Sequence, residues 1–298
     1  MGQSRSFVDG RNHRKGANAM NQRISIYTPP HLDMASYYDV VDFAVEVGLS
    51  KVEIYNTFEL TRPDTAFAKK LREYADERNI KFVCVSLGIN LVEDTRQNIE
   101  IAKQFAHVTA ILGAPYFHHT IALDFEDSEK VAANYNRYYE IGVAAARELY
   151  DYAKDLGIRT VVEDQGFVFN GVDSFRRFLR DVGRDVGIVA DFGNIMFVDE
   201  RIEPFIQEFY KSIVHVHAKD YIATPKTAPT RPPKSYVTRG GNYLQDCPFG
   251  CGAVNFAEAL RLLRDIAYTG PISLEHPPVP YDKISIFHEN LQFLEQLL

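Results

Sequence analysis

The sequence is poor in three features that mark whole classes of proteins. It has only three cysteines in 298 residues, which is too few for a disulfide framework and suits a reducing compartment. Acidic residues outnumber basic ones, and the net charge of −7 argues against a protein that grips nucleic-acid phosphates. No apolar run approaches the roughly 20 residues of a membrane helix. These absences favour a cytoplasmic protein with neither nucleic acid nor membrane as a partner.

The first 23 residues differ from the rest of the chain. They are polar, basic and rich in glycine and asparagine, without the apolar stretch of a secretory signal. We expect residues 1–23 to be a disordered leader or tag. Residues 24–298 show no break in composition, so we expect them to form one domain.

Short β-branched runs alternate with amphipathic helical patterns along this domain. The strand-like runs are RISIYT, KVEIYN, KFVCVSLGI, PYFHHTIA, RTVVEDQ, GIVADFG, SIVHVHA and PISLEH. The segments between them carry apolar residues at helical spacing, as in FAEALRLLRDI. Eight strands that alternate with helices predict an α/β protein, a single-domain (β/α)8 TIM barrel.

Four of the last strand runs end in a residue that can bind metal: Glu163, Asp191, His217 and Glu275. In a parallel barrel the carboxyl ends of the strands converge on one site. Three carboxylates and one imidazole suit Mn²⁺, Mg²⁺ or Co²⁺ better than Zn²⁺. We therefore expect one divalent metal ion, with Mn²⁺ as the first choice.

The alternation of side chains along a strand extends this prediction to the layers around the site. Residues two positions earlier should also face into the barrel, one layer deeper: Val161, Val189, His215 and Ser273. Their neighbours should face outward and pack under the helices: Val162, Ala190, Val216 and Leu274.

A metal ion at this site could polarise the carbonyl group of a ketose and acidify the adjacent C–H bond. Glu163 and Glu275 could flank the sugar, one taking and the other giving a proton. This chemistry predicts a sugar or sugar phosphate isomerase or epimerase that acts through a metal-bound enediolate. A keto-inositol or keto-sugar dehydratase and a barrel that binds sugar without turnover are the alternatives.

Other polar residues near the strand ends are candidates for binding the substrate: Asn194, Lys219, His119, Glu53 and Arg239. Lys219 lies two residues past His217, so it shares the inward face of that strand, although an ion pair with a carboxylate is also open. His118 and His119 are adjacent, so only one of them can face inward. Glu53 is inward near the end of the second strand, where substrate binding and salt bridging are both possible.

The segment from Tyr221 to Asn255 is unusually long for a barrel connection and is rich in proline, threonine and glycine. Its cations are Lys226, Arg231, Lys234 and Arg239. A phosphate site, a lid, an arm of a homodimer or homotetramer and a solvated loop all remain open. Within it, Cys247 and Cys251 bracket CPFGC, which fits a loop turn or, without a second pair nearby, less well a metal site.

The motifs VVEDQG, ADFGN, HVHAKD and SLEH resemble those of the xylose isomerase-like barrel superfamily, especially its sugar phosphate isomerases/epimerases and ketose 3-epimerases. The resemblance covers residues 24–298 and includes GCGAVNF, which looks like the family's Gly-x-Gly segment. It implies that Glu163, Asp191, His217 and Glu275 are metal ligands and that the two glutamates are the acid and base.

The same superfamily includes AP endonucleases, which use three zinc ions and extra histidines. One of these histidines would stand at Asn194, and the Asp-x-His pair expected after strand seven is absent. Many ketose 3-epimerases also have histidine at the position of Asn194. The missing histidines therefore disfavour a role in DNA repair, and Asn194 leaves the identity of the sugar open.

Overall fold

The computed structural model describes residues 23–27, 34–123, 128–275 and 283–298. The predicted leader, apart from Arg23, lies outside the described residues. Eleven strands lie within them: β1 (Ile24–Tyr27), β2 (Lys51–Tyr55), β3 (Lys81–Leu87), β4 (Tyr116–His119), β5 (Arg159–Glu163), β6 (Gly187–Asp191), β7 (Ile213–Ala218), β8 (Tyr221–Thr224), β9 (Tyr236–Val237), β10 (Tyr243–Asp246) and β11 (Ile272–Leu274).

Eight of these strands close into a parallel barrel in the order β1-β11-β7-β6-β5-β4-β3-β2. The helices that alternate with them are α1 (Tyr37–Glu46), α2 (Thr65–Glu77), α3 (Thr95–Leu112), α4 (Ser128–Asp155), α5 (Val172–Val182), α6 (Ile202–Phe209), α7 (Phe256–Asp265) and α8 (Lys283–Leu297). The predicted (β/α)8 barrel is confirmed. No helix of the described ranges is long and apolar enough to cross a membrane.

Local sequence explains where several of the helices begin and end. The side chain of Ser36 accepts a hydrogen bond from the Asp39 N–H, and Asp64 accepts two from the first turn of α2. Helix α3 ends at Gly113, whose φ of +71° is readily adopted only by glycine. These caps satisfy backbone groups that a helix leaves unpaired at its ends.

The predicted alternation of side chains is also present in the barrel. The outward residues Val162, Ala190, Val216 and Leu274 belong to the main hydrophobic core with residues of the helices. Val161 and Val189 face the other way and form a small separate cluster with Val83 and Cys84. The layer beneath the strand ends is therefore apolar on the side of β3, β5 and β6, and it contains the buried polar residues His215 and Ser273 on the other side.

The segment after β7 is structured, which the sequence did not reveal. Strands β8, β10 and β9 pair antiparallel into a small sheet beside the barrel. Tyr221 of this sheet packs against Phe197 and Tyr236, with ring centroids 5.7 and 6.2 Å apart. The strands are only two to four residues long, so they give no readable alternation.

The buried carboxylate of Asp220 organises the chain between this sheet and α7. Its Oδ1 accepts hydrogen bonds from the N–H groups of Tyr221 and Val254, and its Oδ2 accepts from those of Gly250 and Gly252. Cys251 donates its N–H to the Pro248 carbonyl, so CPFGC forms a turn. Gly252 is required here because a Cβ atom would overlap the Asp220 carboxylate and the Tyr221 carbonyl.

We expect Gly252→Ala to destabilise the protein by about 1–3 kcal/mol, the usual cost of forcing extra atoms into a packed region. The exposed neighbour Ala253 offers a control, since Ala253→Ser should change the free energy of unfolding by less than about 0.5 kcal/mol. Urea unfolding of both variants measures the difference. Equal stability of the two would show that Asp220 does not hold this turn rigidly.

Candidate metal centre

The four predicted ligands meet at the carboxyl end of the barrel. Glu163 ends β5, Asp191 ends β6, His217 is the penultimate residue of β7, and Glu275 directly follows β11. Each offers a ligand atom, and the four atoms lie within 4.8 Å of one another. The strand register explains part of this closeness, because Asp191 pairs with His217 across β6 and β7.

The imidazole of His217 directs one ring nitrogen at all three carboxylates. Its Nδ1 lies 2.6 Å from Glu163 Oε1, 3.4 Å from Glu275 Oε2 and 3.9 Å from Asp191 Oδ2. Burial alone would lower the pKa of His217, but the charges of Glu53 and Glu163 outweigh it and raise the pKa well above its usual value. The carboxylates therefore favour a positive charge at His217.

Asp191 supplies an unsatisfied oxygen to this cluster. Its Oδ1 accepts hydrogen bonds of 2.7 Å from the N–H groups of Gly193 and Asn194. Its Oδ2 is buried and has no hydrogen-bond partner among the described residues. Burial, and next the charge of Glu275, raise the pKa of Asp191 well above its usual value.

This donor set fits a divalent cation. Buried polar atoms are normally paired, and Asp191 Oδ2 is an orphan that faces other ligand atoms. A cation would also offset the repulsion among three buried carboxylates, which otherwise carry a large desolvation cost. Three oxygens and one nitrogen suit Mn²⁺, Mg²⁺ or Co²⁺.

Directly below the quartet, the carboxylate of Glu53 is fully buried and accepts four hydrogen bonds. Its Oε1 receives the Ser86 hydroxyl and lies 3.1 Å from His217 Nε2. Its Oε2 receives the Ser273 hydroxyl at 2.5 Å and lies 2.6 Å from His215 Nε2. Burial would raise the pKa of Glu53, but the charges of His217 and His215 outweigh it and lower the pKa well below its usual value.

Of the two roles left open for Glu53, the structure shows the buried ion pairs, and contact with a substrate stays a prediction. It is inward, as predicted, but it lies beneath His217 with both oxygens engaged, so a sugar at the barrel mouth meets the histidine first. Because Glu53 is an acceptor, His217 must present N–H at Nε2 and keep Nδ1 for the metal. Such carboxylate–histidine–metal arrangements fix the ring orientation and tautomer of a ligand.

The other substrate candidates occupy varied positions. Lys219 donates a 2.5 Å hydrogen bond to Glu275 Oε1, which is the ion pair left open by the sequence. Asn194 is buried at the start of a short 3₁₀ helix (Asn194–Val198), and its backbone N–H donates a hydrogen bond to Asp191 Oδ1. Arg239 donates a hydrogen bond to the Phe167 carbonyl. Contacts of these three residues with a substrate stay predictions.

Strand β4 directs His118, and not His119, toward the quartet. His118 Nδ1 lies 3.0 Å from Ser86 Oγ, and its Nε2 lies 3.8 Å from Glu163 Oε2. His119 lies beside it, with Nδ1 3.3 Å from the Thr120 carbonyl. The sequence signal was present, since only one of two adjacent histidines can face inward, but the register that pairs Ser86 with His118 was needed to choose.

The quartet predicts one tightly bound divalent ion per chain. Asp191→Ala and His217→Ala should each lower metal affinity at least 100-fold, because loss of outer partners alone typically costs 10–100-fold. The metal affinity of the unaltered protein should rise with pH. Because the pKa of His217 is raised, its imidazole must lose a proton before the metal binds. Titration calorimetry and elemental analysis measure both effects, with the exposed Asp173→Ala on α5 as control.

A separate prediction concerns Glu53. Glu53→Gln replaces one acceptor oxygen with an N–H₂ group that cannot accept from a histidine and a serine. We expect metal affinity to fall about 10–100-fold while the barrel stays folded. Unchanged affinity, with circular dichroism like that of the unaltered protein, would mean that Glu53 does not orient His217.

Comparison with known proteins gives the chain a family. The model of the family described as xylose isomerase-like TIM barrel matches residues 41–297. A search of curated protein sequences gives no significant match.

Solved structures of similar fold share little sequence with this chain. The 3-keto-D-glucoside 4-epimerase from E. coli is 14% identical over 92% of this chain and 99% of its own, with a TM-score of 0.72. The D-psicose 3-epimerase from Clostridium cellulolyticum H10 is 16% identical over 93% and 99%, with a TM-score of 0.71. A xylose isomerase-like TIM barrel protein from Mycobacterium smegmatis in complex with magnesium is 18% identical over 94% and 97%, with a TM-score of 0.67. At these identities the structures support the fold, and the family model shows that the chain belongs to the xylose isomerase-like TIM barrel family.

Proposed function

We propose that the protein is a divalent-metal-dependent isomerase or epimerase of a sugar, with Glu163 and Glu275 as its proton-transfer pair. One observation carries the proposal. The two carboxylates reach His217 Nδ1 from strands that are not neighbours, since β6 and β7 lie between β5 and β11. A substrate carbon between them would have one carboxylate on each face, as a reaction that removes and returns a proton requires.

Glu163, Asp191, His217 and Glu275 would hold the ion, for which we propose Mn²⁺ before Mg²⁺, Co²⁺ or Zn²⁺. When bound, it would polarise a carbonyl group of the substrate and acidify the neighbouring C–H bond. The known names of two similar structures, both sugar epimerases, and the magnesium in a third support this reading.

Lys219 gives the two glutamates different properties. Burial would raise the pKa of Glu275, but the charge of Lys219 and a hydrogen bond from His217 outweigh it and lower the pKa. Glu163 has no lysine or arginine within ion-pair distance among the described residues; its ion-pair partners there are His118 and His217. Glu275 is therefore held as a carboxylate at neutral pH, and the Lys219 ammonium beside it can contact an adjacent substrate oxygen.

A lyase reaction on the same site is a second candidate. After a proton is removed, loss of a β-hydroxyl needs a proton donor, and the Lys219 ammonium beside Glu275 would supply that proton. Either reaction has a small sugar as its partner. A cytoplasmic homodimer or homotetramer without nucleic acid, as inferred from the sequence, remains part of this proposal.

We expect Glu163→Gln and Glu275→Gln to retain most of the bound metal and to lose turnover. The amide keeps an oxygen ligand but cannot act as a base, and general acid–base groups contribute typically about 10²–10⁴-fold. NMR of a panel of ketoses and keto-inositols in D₂O, with Mn²⁺-loaded and metal-stripped protein, measures C–H exchange and identifies the product. Glu258→Gln on exposed α7 is the matched control.

The outcomes separate the candidates. An inverted ketose supports the epimerase, an aldose the isomerase, and an unsaturated or deoxygenated product the lyase. Wild-type exchange in either glutamate variant would contradict the two-glutamate mechanism. Sugar binding with no exchange under any condition would indicate a non-catalytic barrel.

A further inference from the structure

The four side chains of the quartet differ in their access to solvent. The side chain of Glu275 is 17% exposed, whereas those of the other three ligands, Glu163, Asp191 and His217, are 0–3% exposed. Lys219, which pairs with Glu275, is 15% exposed. In the part of the chain that the structure describes, a substrate therefore approaches the quartet along Glu275 and Lys219.

The small sheet after β7 stands beside this accessible side. The ring centroid of Tyr221 on β8 lies 5.6 Å from Lys219 Nζ. The same ring lies against Gly193, whose backbone N–H donates a hydrogen bond to Asp191. Asp246 on β10 pairs directly with Tyr221, and directly paired residues place their side chains on the same face of a sheet. The Asp246 side chain therefore lies on the face that adjoins Lys219.

The electrostatics of Asp246 agree with this placement. Burial raises the pKa of its carboxyl group, the charge of Lys219 lowers that pKa, and the charge of Glu275 raises it. A hydrogen bond from the side chain of Tyr236 on β9 lowers the pKa further. Both Asp246 and Tyr236 are only partly buried, so a ligand at the quartet can reach them.

The Asp246 carboxyl group keeps unused capacity to accept hydrogen bonds. Among the described residues it belongs to no ion pair, since the nearby Lys219 ammonium is paired with Glu275. The Tyr236 side chain supplies one hydrogen bond, whereas a carboxylate can accept about four. A partly buried carboxylate without a cation beside a substrate site indicates a ligand that donates hydrogen bonds.

The neighbouring groups narrow the chemistry of that ligand. The Lys219 ammonium can only donate hydrogen bonds, and a carboxylate can only accept them. A hydroxyl group does both, so it can accept from Lys219 and donate to Asp246 at once. A phosphate oxygen would meet the negative charges of Asp246 and Glu275, and an ammonium group would meet the charge of Lys219.

We propose that Asp246, positioned by Tyr236, binds a hydroxyl group of the substrate away from the reacting carbonyl. The inference rests on the proposed function and deepens it, since it makes the substrate a polyhydroxy ketone whose remote hydroxyl lies against the small sheet. The sheet thereby forms one wall of the substrate site. A site built to hydrogen-bond a hydroxyl discriminates strongly against analogues that lack it.

Paired changes of ligand and protein test this contact. Titration calorimetry of the metal-loaded protein compares D-fructose with its 4-deoxy, 5-deoxy and 6-deoxy analogues. We expect one of these analogues to bind about 10-fold more weakly than D-fructose, as the loss of a hydrogen bond to a charged group predicts. In Asp246→Ala, D-fructose should lose about the same factor, and its advantage over that analogue should disappear.

Neighbouring variants separate binding from structure. Asp246→Asn keeps the volume and one acceptor oxygen, so its affinity for D-fructose should lie between those of Asp246→Ala and the unaltered protein. Tyr236→Phe leaves the carboxyl group in place and should weaken binding less than Asp246→Ala. Gln245→Ala is the matched control, because Gln245 adjoins Asp246 on β10, faces the other side of the sheet and contacts the Pro233 carbonyl.

Four results would overturn the subsite. They are no measurable binding of D-fructose, equal binding of all three deoxy analogues and D-fructose, the same deoxy preference in both Asp246 variants, and loss of metal from Asp246→Ala by elemental analysis. By contrast, the expected affinities without C–H exchange of any ketone in D₂O would reject the proposed reaction and leave the subsite standing. Exchange with a KM that Asp246→Ala does not change would do the reverse.

Discussion

The carboxylate of Glu53 connects side chains from three other strands of the barrel interior. From β2 it accepts hydrogen bonds from Ser86 on β3, Ser273 on β11 and both histidines of β7. Ser273 in turn contacts Ser25 on β1, and Ser86 contacts His118 on β4. A buried charge survives only when it is fully hydrogen-bonded. Glu53 therefore ties the strands together and aligns the imidazoles above it.

Acceptors and donors are segregated by height in this barrel. Glu53 accepts the hydrogen bonds of the layer beneath the quartet, and His217 directs its other ring nitrogen, Nδ1, at the carboxylates above. The layer above adds three carboxylates, one of which keeps an unpartnered oxygen. The atoms that can bind a metal are therefore concentrated at the carboxyl end of the barrel. Among the described residues around the quartet, Lys219 pairs with Glu275 and partly offsets the negative charge of the carboxylates.

The sequence predicted the barrel and its quartet because both depend on simple periodicities. Alternation within strands placed Val161 and Val189 inside and Val162 and Ala190 outside, and this arrangement is confirmed. It could not place Glu53 beneath His217, because depth depends on the stagger between strands, including a register shift at Val52/Glu53. The choice between His118 and His119 and the short strands after β7 likewise depend on pairing partners far away in sequence.

The stagger between strands also decides which residues surround the quartet. The quartet depends on four strand ends whose ligand atoms lie within 4.8 Å of one another. The orientation of His118 beside the quartet depends in addition on Ser86, which stands opposite His118, donates its hydroxyl to Glu53 and contacts His118 Nδ1. Replacing that serine with alanine would remove the contact with His118 Nδ1, while leaving every metal ligand in place. The surroundings of the quartet can therefore change through residues that do not belong to the quartet, as its four side chains stay the same.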